Sequence, residues 1–418
     1  MMRSRLIFAI LFLLFPLFRV FSDAGDFVKD IRISDFEISI PNIKKETLDE
    51  NTDFYKLYSD DLPICNLEIH IYGGESWTKS YPVEIVEILA GVLKFGGSKN
   101  YPDGNFLTRL ERLGAKFEIE SDYKKIKIDV SFLSKDQDEV LGLISDLLKN
   151  PALTDNSIEH SKRKLQEKIK RRNDSTDSVV FRKAKELLFK EKIAGKSHQL
   201  ETLEKIQAPQ VLEYFNEIIG LKKTILVSGS FDENKMKMVF SDLLKSTKEK
   251  EKKISEERLD LKSLIEKFET YPYKNIAVEK SVNQSAVLMT GFLPAHNHPD
   301  FYAVQVLNYI IGGGGFNSYF MQEIRSDRGL AYSAVSYPVF KKDHGYIYFF
   351  VQTKNETTKQ VFLLMKEILS DDRFEKITDG EIQSAKNAIQ NQFVFLFSNQ
   401  SQILSNVLRF SEDDMPKN

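Results

Sequence analysis

Residues 66–73 read NLEIHIYG and residues 284–291 read QSAVLMTG, and these two stretches begin the two copies of a repeated unit. The first alternates apolar and polar side chains like a half-buried strand, and the second is predicted to be the matching strand. Each is followed by apolar side chains at helical spacing, at 81–94 and at 300–311, which end in glycines. The chain therefore contains one strand–helix unit twice.

The repetition continues beyond the first helix. Each unit next predicts a pair of strands, a long amphipathic helix and a second helix that begins at a Thr-Asp pair. Threonine favours a helix start because its side chain accepts a backbone N–H of the first turn. The predicted elements are strands 116–121 and 125–132 with helices 135–149 and 154–169, and strands 331–340 and 346–353 with helices 355–370 and 378–393. We predict an α+β fold of two homologous duplicated domains, each a mostly antiparallel sheet packed against helices.

The second unit is shorter than the first. A strand at 222–231 follows the helices of the first unit, whereas no counterpart follows those of the second. We therefore expect the second domain to be incomplete at its C-terminus. A fragment of a longer sequence is the favoured explanation, and a domain that is truncated in the native protein is the alternative. The predicted division is a signal peptide at 1–22, an N-terminal arm at 23–62, a first domain at 63–246, a charged and solvated linker at 247–270, and a second domain at 271–418.

The first 22 residues, MMRSRLIFAILFLLFPLFRVFS, predict a secretory signal peptide. Arg3 and Arg5 precede an apolar run, as such signals require. A membrane-spanning helix is the alternative, but Pro16 and Arg19 interrupt the roughly 20 apolar residues that it needs. We expect an extracytoplasmic protein, periplasmic or secreted, that has no membrane segment after the signal is removed.

The composition excludes several classes of protein. With 42% hydrophobic and 29% charged side chains, the chain is neither disordered nor a polytopic membrane protein. The 59 basic and 61 acidic side chains nearly cancel, which does not favour nucleic acid as a partner. The single cysteine, Cys65, excludes an intrachain disulfide and a thiolate zinc cluster, and we expect it to be a small buried apolar residue.

Two runs of sequence resemble a known family. Residues 66–102, which begin NLEIHIYGGESW, resemble the zinc-site region of the pitrilysin/insulinase-like metallopeptidases, the inverzincins. Residues 307–337, LNYIIGGGGFNSYFMQEIRSDRGLAYSAVSY, resemble the second domain of that family more closely. The resemblance covers roughly residues 55–410. It implies duplicated α+β domains that close around a substrate chamber.

The resemblance also implies that the zinc site is degenerate. Active members carry H-x-x-E-H on the first helix, where two imidazoles hold zinc and the glutamate activates water. In this chain Glu87, Ala90 and Gly91 stand at the motif's ligand and catalytic positions, and Glu167 stands where the third ligand is expected. Glu84 and Glu87 could form a metal pair, but a solvated helix face is the better interpretation. We expect no metal on this chain.

The second-domain signature is retained. Family members use an arginine and a tyrosine seven residues apart to hold the substrate backbone, and Arg325 and Tyr332 have that spacing. Both side chains donate hydrogen bonds, which suits a carbonyl oxygen on which negative charge develops. Gly313 and Gly314 are candidate backbone contacts for a bound peptide. The structural alternative is a surface arginine paired with a nearby acid and a tyrosine packed in a strand.

These features favour one function and leave two alternatives open. The favoured function is a non-catalytic, substrate-binding subunit of an exported zinc peptidase, which donates Arg325 and Tyr332 to the zinc site of a homologous partner in a heterodimer. In that case this chain binds no cofactor, and zinc is held by the partner. The alternatives are a catalytically dead scaffold or binding protein with the same fold, and an autonomous metallopeptidase with unorthodox ligands.

Overall fold

Two β-sheets, one in each half of the chain, carry the fold. The computed structural model describes residues 43–246, 254–271 and 274–414, so the predicted signal peptide lies outside the described residues. The first sheet has the strand order β1-β2-β6-β3-β5-β4, and the second has the order β7-β9-β8. The strands are β1 (Glu46–Asp49), β2 (Thr52–Tyr58), β3 (Ile64–Ile71), β4 (Lys116–Ser121), β5 (Ile126–Leu133), β6 (Lys223–Gly229), β7 (Gln284–Leu293), β8 (Ala331–Phe340) and β9 (Gly345–Lys354).

The two sheets contain the same three-stranded motif. β3, β5 and β4 pair antiparallel in that order, as do β7, β9 and β8. In the first sheet β6 pairs with the other edge of β3, whereas among the described residues β7 has a neighbour on one side only. The prediction of duplicated α+β domains with mostly antiparallel sheets is confirmed.

Helices follow the strands in the predicted places. In the first half they are α1 (Glu84–Gly96), α2 (Asn105–Arg112), α3 (Gln137–Lys149), α4 (Asp155–Arg171), α5 (Thr176–Leu188), α6 (Leu200–Lys205), α7 (Ala208–Ile218) and α8 (Glu233–Ser246). In the second half they are α9 (Leu261–Glu269), α10 (Phe301–Asn308), α11 (Thr358–Ile368), α12 (Asp371–Phe374), α13 (Asp379–Phe393) and α14 (Gln400–Glu412). Thr154 and Thr378 cap α4 and α13 as predicted, because each side chain accepts a first-turn N–H. Within the described ranges, every helix is too short or too polar to cross a membrane.

Two segments differ from the sequence prediction. Residues 46–58, expected in an N-terminal arm, form β1 and β2, and β2 pairs parallel with β6 inside the first sheet. Within the expected solvated linker, Leu259 and Leu264 are buried in an apolar cluster with α5. Both segments pack against parts of the chain that are distant in the sequence. Their local sequence therefore does not predict these contacts.

The two halves exchange helices. α5 begins at Thr176 and α14 at Gln400, each 22 residues after the threonine that caps the preceding helix. The Phe181 ring of α5 packs on the second sheet, with centroid distances of 5.2 Å to Tyr348 and 5.1 Å to Phe350. The described residues of both halves accordingly belong to one compact unit.

The reciprocal contact places α14 on the first sheet. Its Leu404 and Leu408 are buried with Tyr55 of β2 and Leu226 of β6. Because equivalent helices of a duplicated unit cover the opposite sheets, neither half buries its apolar surface without the other.

A polar contact fastens the docked α14. The Ser405 hydroxyl donates to Glu68 Oε1 at 3.0 Å, and Glu68 itself is buried on β3. Near the end of the helix, Glu412 Oε2 lies 3.8 Å from Lys125 Nζ, while Glu412 Oε1 is buried and has no hydrogen-bond partner among the described residues. Burial, together with the charges of Asp413 and Asp53, raises the pKa of Glu412 to about 7.

We expect the docking of α14 to weaken as pH rises from about 5 to 8. The raised pKa means that folded Glu412 keeps a proton that the unfolded chain loses, so its contribution to stability is present below the ordinary pKa and is lost as pH rises through about 7. Glu412→Gln removes this titration. The free energy of unfolding is measured with urea at pH 5 and at pH 8. Relative to wild type, the variant should gain stability between pH 5 and pH 8 by on the order of 1–3 kcal/mol.

The exposed Glu356→Gln serves as the matched control, and its pH dependence should follow that of wild type. Parallel pH curves for wild type and Glu412→Gln would contradict the assignment.

Candidate functional site

The first candidate site lies on α1, the helix that the resemblance assigns to zinc. Glu84, in its first turn, is 1% exposed. Its Oε1 accepts from the Gln199 backbone N–H at 2.6 Å and from the Thr202 hydroxyl at 2.8 Å, so it holds the start of α6. The expectation of a solvated side chain is therefore wrong for Glu84. Its partners lie far away in the sequence, so helical spacing alone gives no sign of them.

Glu87 forms an ion pair at the first ligand position. Lys168 of α4 donates from Nζ to both carboxylate oxygens, at 2.9 and 3.0 Å. His198 lies between two acids, with Nδ1 3.6 Å from Glu87 Oε2 and Nε2 3.6 Å from Glu75 Oε1. Burial acts to raise the pKa of Glu75, but the contact with His198 and nearby lysines lower it overall. The Glu87 carboxylate is thus paired with Lys168, and His198 lies close to both Glu87 and Glu75.

The contacts of His198 are not predicted by the sequence around it. The histidine comes from the segment before α6, which lies more than a hundred residues from Glu75 and Glu87 in the sequence. No local spacing connects them, and only the packing of that segment against α1 brings the three side chains together.

Gly91 lies at a close contact between α1 and α4. Ala90 is buried, and a Cβ added to Gly91 would lie 2.7 Å from Ser161 Oγ and 3.0 Å from Ser161 Cβ. Ser161 cannot easily turn away, because its hydroxyl donates to the Ser157 carbonyl at 2.8 Å. A side chain as large as histidine does not fit at position 91 in this packing.

The residues at the degenerate positions do not fit a zinc site. A catalytic zinc needs three protein ligands and an open position. Here one ligand position holds Glu87, another holds a glycine, and Glu167 is exposed on α4. Across the described ranges, His, Cys, Asp and Glu side chains form no group of three or more that could hold a metal ion.

We expect Gly91→Ala to lower the free energy of unfolding by about 1 to 2 kcal/mol. Alanine is the better helix former, but the clash with Ser161 outweighs that gain. Urea denaturation measures the change, and adding Ser161→Gly to Gly91→Ala should recover much of the loss.

Gly142→Ala is the matched control, because Gly142 is exposed inside α3 and an added Cβ meets nothing within 4 Å. This substitution should stabilise the protein by about 0.5 to 1 kcal/mol. Equal effects at Gly91 and Gly142 would show that the α1–α4 contact tolerates a side chain.

The second candidate site contains Arg325 and lies in the other half of the chain. After α10 the backbone widens into a π-helix at Tyr309–Gly313, and a second π-helix runs from Phe320 to Ser326. Arg325 lies in the last turn of the second and is exposed. Such π segments are rare and occur often at functional sites.

A tight turn joins Arg325 to Tyr332. The Gly329 N–H donates to the Arg325 carbonyl at 2.9 Å, and the Leu330 N–H donates to the Ile324 carbonyl at 2.9 Å. Gly329 has φ +61, which glycine adopts without strain. Tyr332 then falls at the register shift between Ala331 and Ser333 in β8, where a bulge turns the side chain from the regular alternation. The seven-residue spacing thus comes from a helix end, a turn and a bulge.

Neither side chain is tied to an acid. The nearby acid Glu323, two residues before Arg325, instead pairs with Arg373 at 2.6 Å. Within the part of the chain that the structure describes, the Arg325 guanidinium makes no ion pair or hydrogen bond, and its Cζ lies 5.7 Å from the centroid of the Phe316 ring. Tyr332 is 51% exposed, and its hydroxyl has no hydrogen-bond partner among these residues. The arrangement leaves donor groups of both side chains open to a ligand.

The glycines before Arg325 have structural reasons of their own. A Cβ at Gly312 would lie 2.6 Å from Ser336 Oγ of β8, one at Gly313 would lie 2.4 Å from Asn308 Nδ2, and one at Gly314 would lie 2.6 Å from the Tyr309 carbonyl oxygen. Gly313 and Gly314 are therefore required for close packing of the π-helix and loop. Their predicted contact with a peptide stays a prediction.

A buried network beside the site was not predicted. The Tyr319 hydroxyl donates to Glu381 Oε1 of α13 at 2.7 Å, and burial together with Glu381 raises the pKa of Tyr319 to about 12. The Arg373 guanidinium lies 4.1 Å from the Tyr319 ring centroid and also holds Glu323. These contacts fix the helix that bears Arg325, and no sequence spacing marks them. Cys65, in contrast, is buried as predicted, and burial raises the pKa of its thiol to about 12.

Comparison with known families matches both halves of the chain. Residues 90–200 match the family model described as Insulinase (Peptidase family M16), and residues 205–389 match the one described as Peptidase M16 inactive domain. The first range contains the degenerate zinc positions Ala90, Gly91 and Glu167, and the second contains Arg325 and Tyr332.

Individual proteins of known sequence or structure are also similar to this chain. The chain is 24% identical over 330 residues to the non-peptidase homolog YmxG of Helicobacter pylori, which covers 78% of this chain and 74% of that protein. It resembles the crystal structure of a peptidase M16 inactive domain from Pseudomonas fluorescens with a TM-score of 0.76 and 16% identity, over 90% of this chain and 89% of that one. The periplasmic protease PqqL from Escherichia coli gives 0.66 at 14% identity, over 91% of this chain and 44% of that one. At these identities the structural likeness shows the fold alone.

Proposed function

The chain belongs to the M16 insulinase family, as its resemblance implied, and from that membership we propose that it is the non-catalytic, substrate-binding subunit of a zinc peptidase. Arg325 and Tyr332 complete the zinc site of a homologous partner subunit, which supplies the metal and the water that cleave a peptide. The observation that carries this proposal is the contrast between an Arg/Tyr pair left open to a ligand and a first-domain site that cannot hold zinc.

The chemistry of the pair supports substrate binding. Arginine donates through a rigid planar fork, and tyrosine donates a single O–H. Two such donors aimed at one carbonyl oxygen hold the peptide and stabilise the negative charge that develops when the carbonyl is attacked. Because neither side chain is engaged by an acid among the described residues, binding a peptide breaks no ion pair within this half of the protein.

The packing around α1 supports the need for a partner. Glu87 is paired with Lys168, and Gly91 leaves no room for an imidazole. A subunit of this kind contributes binding energy and orientation, while bond cleavage needs a second polypeptide with an intact H-x-x-E-H motif. The autonomous-peptidase alternative finds no ligand set within the described ranges.

We place this function outside the cytoplasm. The basic and apolar pattern of residues 1–22 is that of a secretory signal, and PqqL, one of the structural neighbours, is described as a periplasmic protease. A peptidase subunit in that compartment meets peptides, so neither nucleic acid nor a membrane is required as a partner.

Co-expression with a zinc-bearing homologue tests the proposal. Arg325→Ala and Tyr332→Phe should each lower kcat/KM of the pair for peptide cleavage by about 10²- to 10³-fold, the range seen when one donor to a developing oxyanion is removed. Both variants should fold normally, because the two side chains are exposed.

Two substitutions serve as matched controls. Tyr337→Phe removes a hydroxyl from a tyrosine on the same strand that is 50% exposed, and Arg163→Ala removes an exposed arginine from α4. Neither should change kcat/KM. If Arg325→Ala and Tyr332→Phe also leave cleavage unchanged, the scaffold alternative replaces this proposal, in keeping with the description of the YmxG relative as a non-peptidase homolog.

Metal analysis separates this proposal from an autonomous peptidase. The purified chain should contain well below one zinc per molecule, and a chelator should abolish cleavage by the pair without changing the melting temperature of this chain. Stoichiometric zinc together with chelator-sensitive cleavage by this chain alone would overturn the proposal.

A further inference from the structure

An exposed aromatic ring lies beside Arg325. Phe316 is 71% exposed, and its ring centroid is 5.7 Å from Arg325 Cζ, inside the roughly 6 Å range of a cation–π contact. A single exposed phenylalanine is common and needs no explanation. This one is unusual because its ring faces the Arg325 guanidinium, which has no ion pair or hydrogen bond among the described residues.

The loop that carries Phe316 is held to the helix that carries Arg325. Ser318, which is 0% exposed, donates from its hydroxyl to the Gly315 carbonyl at 2.7 Å. The carbonyl of Ser318 also accepts the Gln322 N–H at 2.9 Å, in the first turn of the π-helix. One buried residue thus fixes the loop and the helix start together, and Gly315 makes the turn with φ +59. These contacts therefore set the backbone position of Phe316 relative to the helix that carries Arg325.

A ring holds a guanidinium differently from a carboxylate. An acid would occupy the N–H donors of Arg325 and cancel its charge, whereas a ring face attracts the cation and leaves N–H groups free for a substrate. The nearby acid Glu323 is kept away from Arg325 by Arg373. The loop and the helix therefore combine a restrained guanidinium with unoccupied donors.

We propose that Phe316 is a positioning residue, which orients the Arg325 guanidinium toward the carbonyl oxygen of a bound peptide. This inference rests on the proposed function. It adds one further residue, Phe316, which directly follows the glycines at 312–315 and on which the effect of Arg325 depends. The side chain of Phe316 acts through Arg325, so its importance disappears when Arg325 is absent.

A double-mutant cycle in the co-expressed pair tests the proposal. Phe316→Leu keeps an apolar side chain and removes the ring, and it should lower kcat/KM for peptide cleavage about two- to fivefold, the effect of one exposed cation–π contact. Phe316→Trp should retain wild-type cleavage. In an Arg325→Ala background, Phe316→Leu should have no further effect. Phe395→Leu, at a phenylalanine that is 72% exposed, is the control and should not change cleavage.

A second measurement needs no activity. Nitrogen-15 relaxation of the Arg325 Nε–Hε group in the full chain should show a restrained side chain in wild type and Phe316→Trp, and a mobile one in Phe316→Leu. Equal mobility in all three would overturn the inference, as would a Phe316→Leu effect on kcat/KM that persists in the Arg325→Ala background. If Arg325→Ala itself leaves cleavage unchanged, the proposed function fails. The role of Phe316 in peptide cleavage then fails with it, even where the relaxation data show that Phe316 restrains Arg325.

Discussion

The exchange of one helix between the two halves is the contact on which the rest of the structure depends. α5 leaves the first half to cover the second sheet with Phe181, and α14 leaves the second half to cover the first sheet with Leu404 and Leu408. Each sheet would otherwise expose apolar surface to water. A duplicated unit has therefore become one cooperative structure, and the two candidate sites are held in a fixed relation within it.

The two halves have diverged in opposite ways. In the first, α1 and α4 touch through Gly91 and Ser161, and Glu87 is neutralised by Lys168, so the place of a metal is filled by packing and protein charges. In the second, two π-helices, a turn and a bulge present Arg325 and Tyr332 to solvent. Close packing favours stability in one half, while exposed donors in the other are suited to a ligand.

The exposed Arg325 projects from a helix that contacts with neighbouring side chains hold in place. Glu381 of α13 accepts a hydrogen bond from Tyr319, and Arg373 of α12 contacts the Tyr319 ring and pairs with Glu323. One hydrogen bond, one cation–π contact and one ion pair therefore hold the helix of Arg325. Such a network limits the motion of the helix backbone from which Arg325 projects. Binding a peptide then costs less conformational entropy than it would on a flexible loop.

The sequence by itself determined the duplication, the types and order of most elements, the caps at Thr154 and Thr378, and the Arg325–Tyr332 spacing, because periodicity and capping act between near neighbours. Only the tertiary structure decided that β1 and β2 join the first sheet, that Glu84 is buried, and that His198 meets two acids. Those outcomes depend on contacts between residues far apart in the chain, and local patterns carry no information about which distant surface a segment will cover.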